Sequence, residues 1–251
     1  MDRWFDLAII AANALVVLRL YHCGLCRRYR AFFGFLILEF LRGVILTPLN
    51  PRGFAYQKIW VLTEPLDWLM YSLVVLEIYA LVLKDYRGLA TVGRWSLLVA
   101  VSIALLAAAG SFLAPSHAPD QSRLMSYYYV TERAVYCSLA IFLLTILALL
   151  LQYPIILSRN IIAHSVIFSV YFMSSTLIYH VLTAGGLRMI LVVRNSLNGL
   201  DLAVLAAWMI LLTRAGERRQ QQLRPSWMPG REEEMIRQLN SFNFAVQLLI
   251  S

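Results

Sequence analysis

The chain has 251 residues, of which 60% are hydrophobic and only 14% are charged. This balance is far from that of an average soluble domain and is typical of integral membrane proteins. The formal net charge of +8 would point to nucleic acid in a soluble protein, but here the basic residues follow a membrane topology, so no nucleic-acid partner is expected.

Seven long apolar segments, separated by short polar loops, account for most of the chain before residue 215. A helix needs roughly 20 residues to cross the hydrocarbon of a bilayer. Backbone groups in lipid must be paired within the protein, and these segments lack the alternation of barrel strands, so we predict an all-α bundle of seven transmembrane helices. The predicted spans are Trp4–Leu20, Ala31–Leu46, Ile59–Leu83, Trp95–Ala114, Met125–Leu151, Ile161–Leu182 and Met189–Leu212.

The basic residues predict the orientation of this bundle. Those in the loops after the first, third and fifth spans and in the C-terminal segment outnumber those on the other side. By the positive-inside rule, we expect a multi-pass inner-membrane protein with its N-terminus outside and its C-terminus in the cytoplasm. The cytoplasmic group is Arg27, Arg28, Arg30, Lys84, Arg87, Arg94, Arg159, Arg214, Arg218, Arg219, Arg224, Arg231 and Arg237. The outer group is Arg3, Arg52, Lys58, Arg123 and Arg188.

Ionisable side chains lie inside the predicted spans, at similar depths between the outer interface and the middle of the membrane. A charge at the bilayer centre costs about 3 kcal/mol even on a mild scale, so these groups must face one another or water. We therefore predict an outward-opening polar cavity bordered by tyrosines. The charged residues are Glu39, Arg42, Glu64, Asp67, Glu132, Arg133, Arg194 and Asp201.

Helical spacing supports the convergence of these residues. Arg194, Asn198 and Asp201 form one stripe of the seventh span, and we expect Arg194 and Asp201 at the centre of the cluster. Similar stripes are Glu64, Asp67 and Tyr71 on the third span, and Tyr128, Glu132 and Tyr136 on the fifth. The candidate ligand-binding residues are Glu39, Arg42, Glu64, Asp67, Tyr128, Glu132, Arg194, Asn198 and Asp201.

This cluster has two interpretations. It is either an ion-pair network that only locks the helices together, or a pocket for a small polar or anionic molecule. In the second case Arg42 and Arg194 are candidate clamps for an anionic group, since guanidinium binds such groups through paired hydrogen bonds.

The histidines leave a haem-binding alternative open. We expect His164 to be a hydrogen-bonded interior histidine. By depth, His22 could instead meet His164, and His117 could meet His180, which is the pairing that a two-haem membrane cytochrome needs. The sequence assigns no cofactor.

Other motifs weigh against metal or enzymatic chemistry. Cys23 and Cys26 form a CxxC without a second ligand pair for zinc, and with Cys137 they imply no disulfide framework. The only lysines are Lys58 and Lys84, so the seventh span offers none for a retinal Schiff base. No serine elbow or HExxH motif occurs, so we assign no metal site and no catalytic residue, and an enzyme is not indicated.

The chain changes character after the seventh span. We divide it into a transmembrane bundle at 1–214, a basic linker with proline and glycine at 215–230, and an amphipathic cytoplasmic helix at Arg231–Ser251. Apolar residues in that last helix recur at coiled-coil-like spacing. This apolar face could pack on the bundle, lie on lipid, or bind a protein partner or a second copy of the chain.

Several short motifs in the first half of the chain resemble bacterial seven-helix membrane proteins without an assigned activity. They are the run from Leu18 to Arg30, Thr63-Glu64-Pro65, the stretch from Leu76 to Tyr86, and the run from Leu89 to Trp95. The resemblance implies a bacterial inner membrane and carries no function over to this chain.

Three functions remain open. The first is a receptor-like protein, in which an outward pocket binds a small molecule and a partner at the cytoplasmic tail reads the change. The second is a proton, ion or solute transporter, for which Glu77 and His164 are the only strong polar candidates in the inner half. The third is a structural or haem-binding subunit of a larger membrane complex.

Overall fold

The computed structural model describes residues 3–50, 53–82, 123–152, 156–185, 189–218 and 220–222, together with Arg237 and Ser241. Helix accounts for 91% of these residues. The helices are α1 (Arg3–His22), α2 (Arg30–Leu46), α3 (Phe54–Val82), α4 (Arg123–Gln152), α5 (Arg159–Gly185), α6 (Ile190–Leu211) and α7 (Arg214–Arg218), with a short 3-10 turn at Leu25–Arg27. Strands β1 (Ile156–Ser158) and β2 (Gln220–Gln222) pair antiparallel, with Ile156 opposite Gln222.

The prediction of a helical, membrane-type chain is confirmed in its coarse form: the described residues are almost entirely helical, and the short β1–β2 pair is an element that the sequence analysis did not predict. Helices α1 to α3 cover the first three predicted spans, and α4 to α6 cover the fifth to the seventh. Among the described helices, four segments are long and apolar enough to cross a membrane: Trp4–His22, Phe54–Val82, Thr131–Ala148 and Arg159–Leu182. The predicted fourth span at Trp95–Ala114 lies outside the described residues. So does the predicted C-terminal helix at Arg231–Ser251, apart from Arg237 and Ser241, which are helical.

The six long helices among the described residues form a ring in which each packs against its neighbours. Helix α1 packs against α2 and α6, α2 packs against α3, and α5 packs against α4 and α6. Helix α3 contacts both α4 and α5, which closes the arrangement. The N-terminus of α1 lies at one end of the bundle, here named the cavity end because the cavity described below lies there. The 3-10 turn, the β1–β2 pair and α7 lie at the opposite end, here named the tail end.

The core of the bundle is apolar and strongly aromatic. Phe32, Phe168 and Phe172 are fully buried; the rings of Phe32 and Phe168 meet edge to face, and those of Phe168 and Phe172 stack. Large apolar side chains such as Leu177 and Ile210 are nevertheless exposed on the outer surface. Burying these outward side chains in lipid would remove apolar area from water, as in a membrane-spanning bundle.

Candidate functional site

A cavity of about 530 Å³ lies at the cavity end of the bundle and is lined by side chains from all six long helices. Most of the predicted ligand-binding residues line it: Glu39, Arg42, Glu64, Asp67, Glu132, Arg194, Asn198 and Asp201. The side chain of Tyr128 lies outside the described residues. These eight residues come from four helices, so their common depth corresponds to one shared space.

Arg42 on α2 is the central cation of the cavity wall. Its guanidinium forms ion pairs with Glu64 and Asp67 on α3 and lies 3.9 Å from Glu39, one turn earlier on its own helix. Glu64 is 6% exposed and Asp67 is 2% exposed, so both carboxylates have lost most of their water. A buried carboxylate needs a close cation, which Arg42 supplies here.

Arg194 has a different environment. Its side chain is 38% exposed and lies 3.8 Å from Asp6 on α1, which is 40% exposed. An ion pair that water reaches from both sides contributes little to folding. The expectation that Arg194 and Asp201 form the centre of the charge cluster is therefore wrong: Arg42 holds that position, and Arg194 forms a partly exposed ion pair with Asp6.

Tyrosine side chains form the wall of the cavity that faces the core. The hydroxyl oxygens of Tyr71 and Tyr171 lie 3.0 Å apart, and the Tyr136 hydroxyl donates to Glu132 at 3.1 Å. The ring of Tyr136 also lies 5.8 Å from that of Tyr179. These aromatic rings separate the carboxylates from the apolar core.

Asn13 on α1 is a cavity residue that the sequence analysis missed. It is 5% exposed, and its side-chain oxygen is buried without a hydrogen-bond partner among the described residues. It lines the main cavity and also an adjoining cavity of about 80 Å³ that reaches Trp208. The sequence analysis selected charged residues within the apolar spans. Asn13 is an uncharged polar residue in such a span, so a search for all polar residues would have found it.

Arg133 is the intramembrane charge that the cavity does not include. Its guanidinium lies 3.3 Å from Nδ1 of His180, and both side chains lie away from the cavity lining. Its neighbour Glu132 points into the cavity, because consecutive residues of a helix face different directions.

At the tail end, Glu77 of α3 caps helix α2. Its two carboxylate oxygens accept hydrogen bonds from the backbone N–H groups of Ala31 and Phe32, at 2.9 and 3.1 Å. The first turn of a helix has N–H groups without intrahelical partners, and it favours a nearby negative charge. Glu77 therefore has a structural role in positioning α2 against α3.

A second polar cluster at the tail end, here named the tail latch, consists of Arg28, Tyr29, Asn160 and Glu217. Glu217 of α7 lies 2.6 Å from Arg28, accepts from the Tyr29 hydroxyl at 2.8 Å, and accepts from the Asn160 amide at 3.0 Å. Burial raises the pKa of the Tyr29 hydroxyl, and the charge of Glu217 raises it further. The hydroxyl therefore remains protonated and acts as the donor.

The tail latch changes the interpretation of the predicted linker at 215–230. The first part of that segment forms most of α7, which contacts α5, and then strand β2, which pairs with β1. Asn160 at the start of α5 holds this segment, since its amide donates to the carbonyl of Thr213 at 2.9 Å. Within the segment, the polar side chain of Glu217 is accounted for by its hydrogen bonds to Tyr29 and Asn160.

His164 is enclosed by aromatic rings. Its ring centre lies 4.7 Å from that of Tyr29 and 4.5 Å from that of Phe32, and it is fully buried. Neither ring nitrogen has a hydrogen-bond partner among the described residues, so the expectation of a hydrogen-bonded histidine is wrong. His22 is exposed and contacts the ring of Tyr21, so the His22–His164 haem pairing gains no support. His117 lies outside the described residues.

Comparison with known proteins finds no matching protein-family model, no similar curated protein and no similar solved structure. The geometry of the cavity and of the tail latch is therefore the basis on which a function is proposed.

Proposed function

We propose that this chain is a receptor-like membrane protein whose cavity binds a small polar molecule from outside the cell. In this proposal the bundle has seven spans, with its N-terminus outside and its C-terminus in the cytoplasm of a bacterial inner membrane. The predicted C-terminal helix at Arg231–Ser251 then binds a protein partner or a second copy, which responds to the state of the cavity.

The cavity is the observation that carries this proposal. Its volume of about 530 Å³ falls in the range typical of small-molecule sites, roughly 300–1,000 Å³. An ion-pair network that only locks helices together is most stable when its charges are in direct contact and no space separates them. Here Arg42 makes such contacts on one wall, while Asn198 and Asp201 on another wall line open space.

Helix α6 offers a route from the cavity to the tail. Asn198 and Asp201 lie near its middle, and its C-terminal end is bonded at the tail end, where Arg19 donates to the carbonyl of Leu212 at 3.3 Å. Thr213 follows and joins Asn160 of the tail latch. A displacement of α6 on ligand binding would therefore act on α7 and the segment beyond it.

Transport is less well supported. The two polar candidates of the inner half are used otherwise: Glu77 caps α2, and His164 is surrounded by the rings of Tyr29 and Phe32. A relay of protons or ions needs polar groups in sequence across the membrane. In the described part of the chain, the aromatic core around Phe168 and Phe172 interrupts such a sequence.

Thermal unfolding of the purified chain in lipid nanodiscs tests the proposal. The chain is melted with a panel of small cationic, zwitterionic, anionic and neutral metabolites. A ligand at 100 times its dissociation constant stabilises the folded state by about 2.7 kcal/mol, so a true ligand shifts the melt measurably. We expect at least one compound to raise the melting temperature of the wild type.

A pair of tryptophan variants makes the test specific to the cavity. Asn198→Trp fills the cavity with a bulky ring, whereas Asn195→Trp adds the same ring on the exposed face of the same helix. We expect the ligand shift to disappear in Asn198→Trp and to persist in Asn195→Trp. Equal shifts in both variants, or no shift by any compound in the wild type, would contradict binding in this cavity.

A further inference from the structure

We infer that the cavity ligand is a small organic cation with N–H donors, an ammonium or guanidinium compound; this inference rests on the pocket function proposed above. The charge of the lining is the first observation. Among the described residues, six carboxylates line the cavity, against two guanidiniums, which belong to Arg42 and Arg194. The carboxylates are Asp6, Glu39, Glu64, Asp67, Glu132 and Asp201.

Both arginines already face carboxylates. Arg42 contacts Glu64 and Asp67, and Arg194 lies beside Asp6. An anionic ligand would have to displace these contacts and approach the remaining negative charges, which repel it. A cationic ligand would instead be attracted by the carboxylates. The ion pairs of Arg42 with Glu64 and Asp67 show that this wall accommodates a guanidinium.

Asp201 is the carboxylate best suited to receive the ligand. It lies on α6 and lines both the main cavity and the adjoining one. No arginine, lysine or histidine of the described residues lies within ion-pair distance of it, and the neighbouring Tyr171 is a neutral donor. A cation placed beside Asp201 would supply the missing opposite charge.

The side-chain oxygen of Asn13 is an independent observation that points to a donor-bearing ligand. It is a buried acceptor without a partner among the described residues, in a side chain that lines both cavities together with Asp201. Native proteins seldom leave a buried acceptor unsatisfied, because it has lost water without gaining a partner. An N–H group of the ligand would satisfy it.

The aromatic lining favours an organic cation over a bare metal ion. The rings of Tyr56, Trp60, Tyr71, Tyr136, Tyr171 and Tyr179 line the cavity together with the carboxylates. Aromatic faces attract organic cations and pack against their apolar parts. A cavity of about 530 Å³ also exceeds the space that a single metal ion and its ligands need.

A matched set of probes tests the charge of the ligand. Tyramine, tyrosol and 4-hydroxyphenylacetate share a phenol ring and a short side chain, which ends in an ammonium, a hydroxyl and a carboxylate respectively. The compound 1,4-diaminobutane adds an aliphatic cation. Thermal melts in nanodiscs are recorded with each probe over a range of concentrations, and apparent dissociation constants are obtained from the shifts. We expect at least one of the two amines to stabilise the chain, and the alcohol and the carboxylate to have little effect.

Variants then assign the effect to the cavity. Asp201→Asn removes the charge and should weaken amine binding about tenfold or more, as expected for losing a hydrogen bond to a charged group. Asn13→Leu should also weaken it, while the melting temperature without ligand stays the same or rises, because an unpartnered polar group is removed. The control Asn195→Ala, on the exposed face of α6, should bind the amine as the wild type does.

The outcomes separate this inference from the pocket proposal. Stabilisation by 4-hydroxyphenylacetate or tyrosol without stabilisation by an amine would overturn the cationic ligand and leave the pocket in place. An amine shift that persists in both Asp201→Asn and Asn13→Leu would overturn the assignment to these residues. If none of the four probes shifts the melting temperature, the cationic ligand is overturned. If no compound of the wider metabolite panel shifts it either, the pocket itself is overturned.

Discussion

The Tyr29 hydroxyl donates a 2.8 Å hydrogen bond to Glu217, and so joins the loop before α2 to the short helix that follows α6. The two residues are 188 positions apart in the chain. Asn160 reaches the same carboxylate oxygen from α5, so three separate segments meet at one group. The segment after the bundle is thereby fixed to the bundle's end.

Gly216→Ala should loosen the tail latch. A Cβ atom at this position would overlap the side-chain oxygen of Asn160, which hydrogen bonds to Thr213 and Glu217 hold in place. We expect a destabilisation of roughly 1–3 kcal/mol, typical of overpacking. Gly199→Ala on α6 is the control, since nothing lies near its added Cβ, and it should be neutral or slightly stabilising. Thermal melts in nanodiscs measure both, and equal melting temperatures would refute this description of the latch.

Glu77→Ala should weaken the attachment of α2 to α3. It leaves the partly buried N–H groups of Ala31 and Phe32 without their acceptors, and each group left unsatisfied costs up to roughly 1–3 kcal/mol. Thr145→Ala on α4 removes a hydroxyl that bonds only its own helix and is exposed, so it should have little effect. Backbone hydrogen exchange should be faster at the first turn of α2 in Glu77→Ala alone. Unchanged exchange there would show that the cap contributes nothing.

Arg42→Ala should destabilise the chain far more than Arg194→Ala. The first substitution leaves Glu64 and Asp67 buried without their cation, which typically costs about 3–5 kcal/mol. The second breaks a partly exposed pair with Asp6 and should cost less than about 1 kcal/mol. Melting temperatures and yields of the two variants in parallel check this order. A greater loss in Arg194→Ala would mean that the charge cluster is centred on α6 after all.

Much of the bundle could be predicted from the sequence, because the cost of exposing backbone or charge to lipid constrains it strongly. The ends of α1, α2 and α6 agree with the predicted spans to within two residues. The gathering of seven of the eight charges into one space also follows from their common depth, whereas Arg133 lies outside it. Tyr128 was predicted for this space, and its side chain is not among those described.

Pairing within the cavity could not be predicted, because it depends on how each helix rotates about its own axis. The stripe on α6 indicated Arg194 as the central cation, yet α2 turns Arg42 towards Glu64 and Asp67. The tail latch escaped prediction for a related reason. The partners of Glu217 are distant in sequence, and a polar segment with arginines has the composition of a linker.

Water access to the cavity from outside the cell is the central claim, and thiol labelling measures it directly. In a chain whose three cysteines are replaced by serine or alanine, Asn198→Cys lines the cavity and Asn195→Cys lies on the exposed outer face of the same helix. A membrane-impermeant maleimide is added to intact spheroplasts, and then to permeabilised ones. We predict that Asn198→Cys is labelled in intact spheroplasts and that Asn195→Cys, which faces lipid, is not. Labelling of Asn198→Cys only after permeabilisation, or in neither case, would contradict an outward-opening cavity.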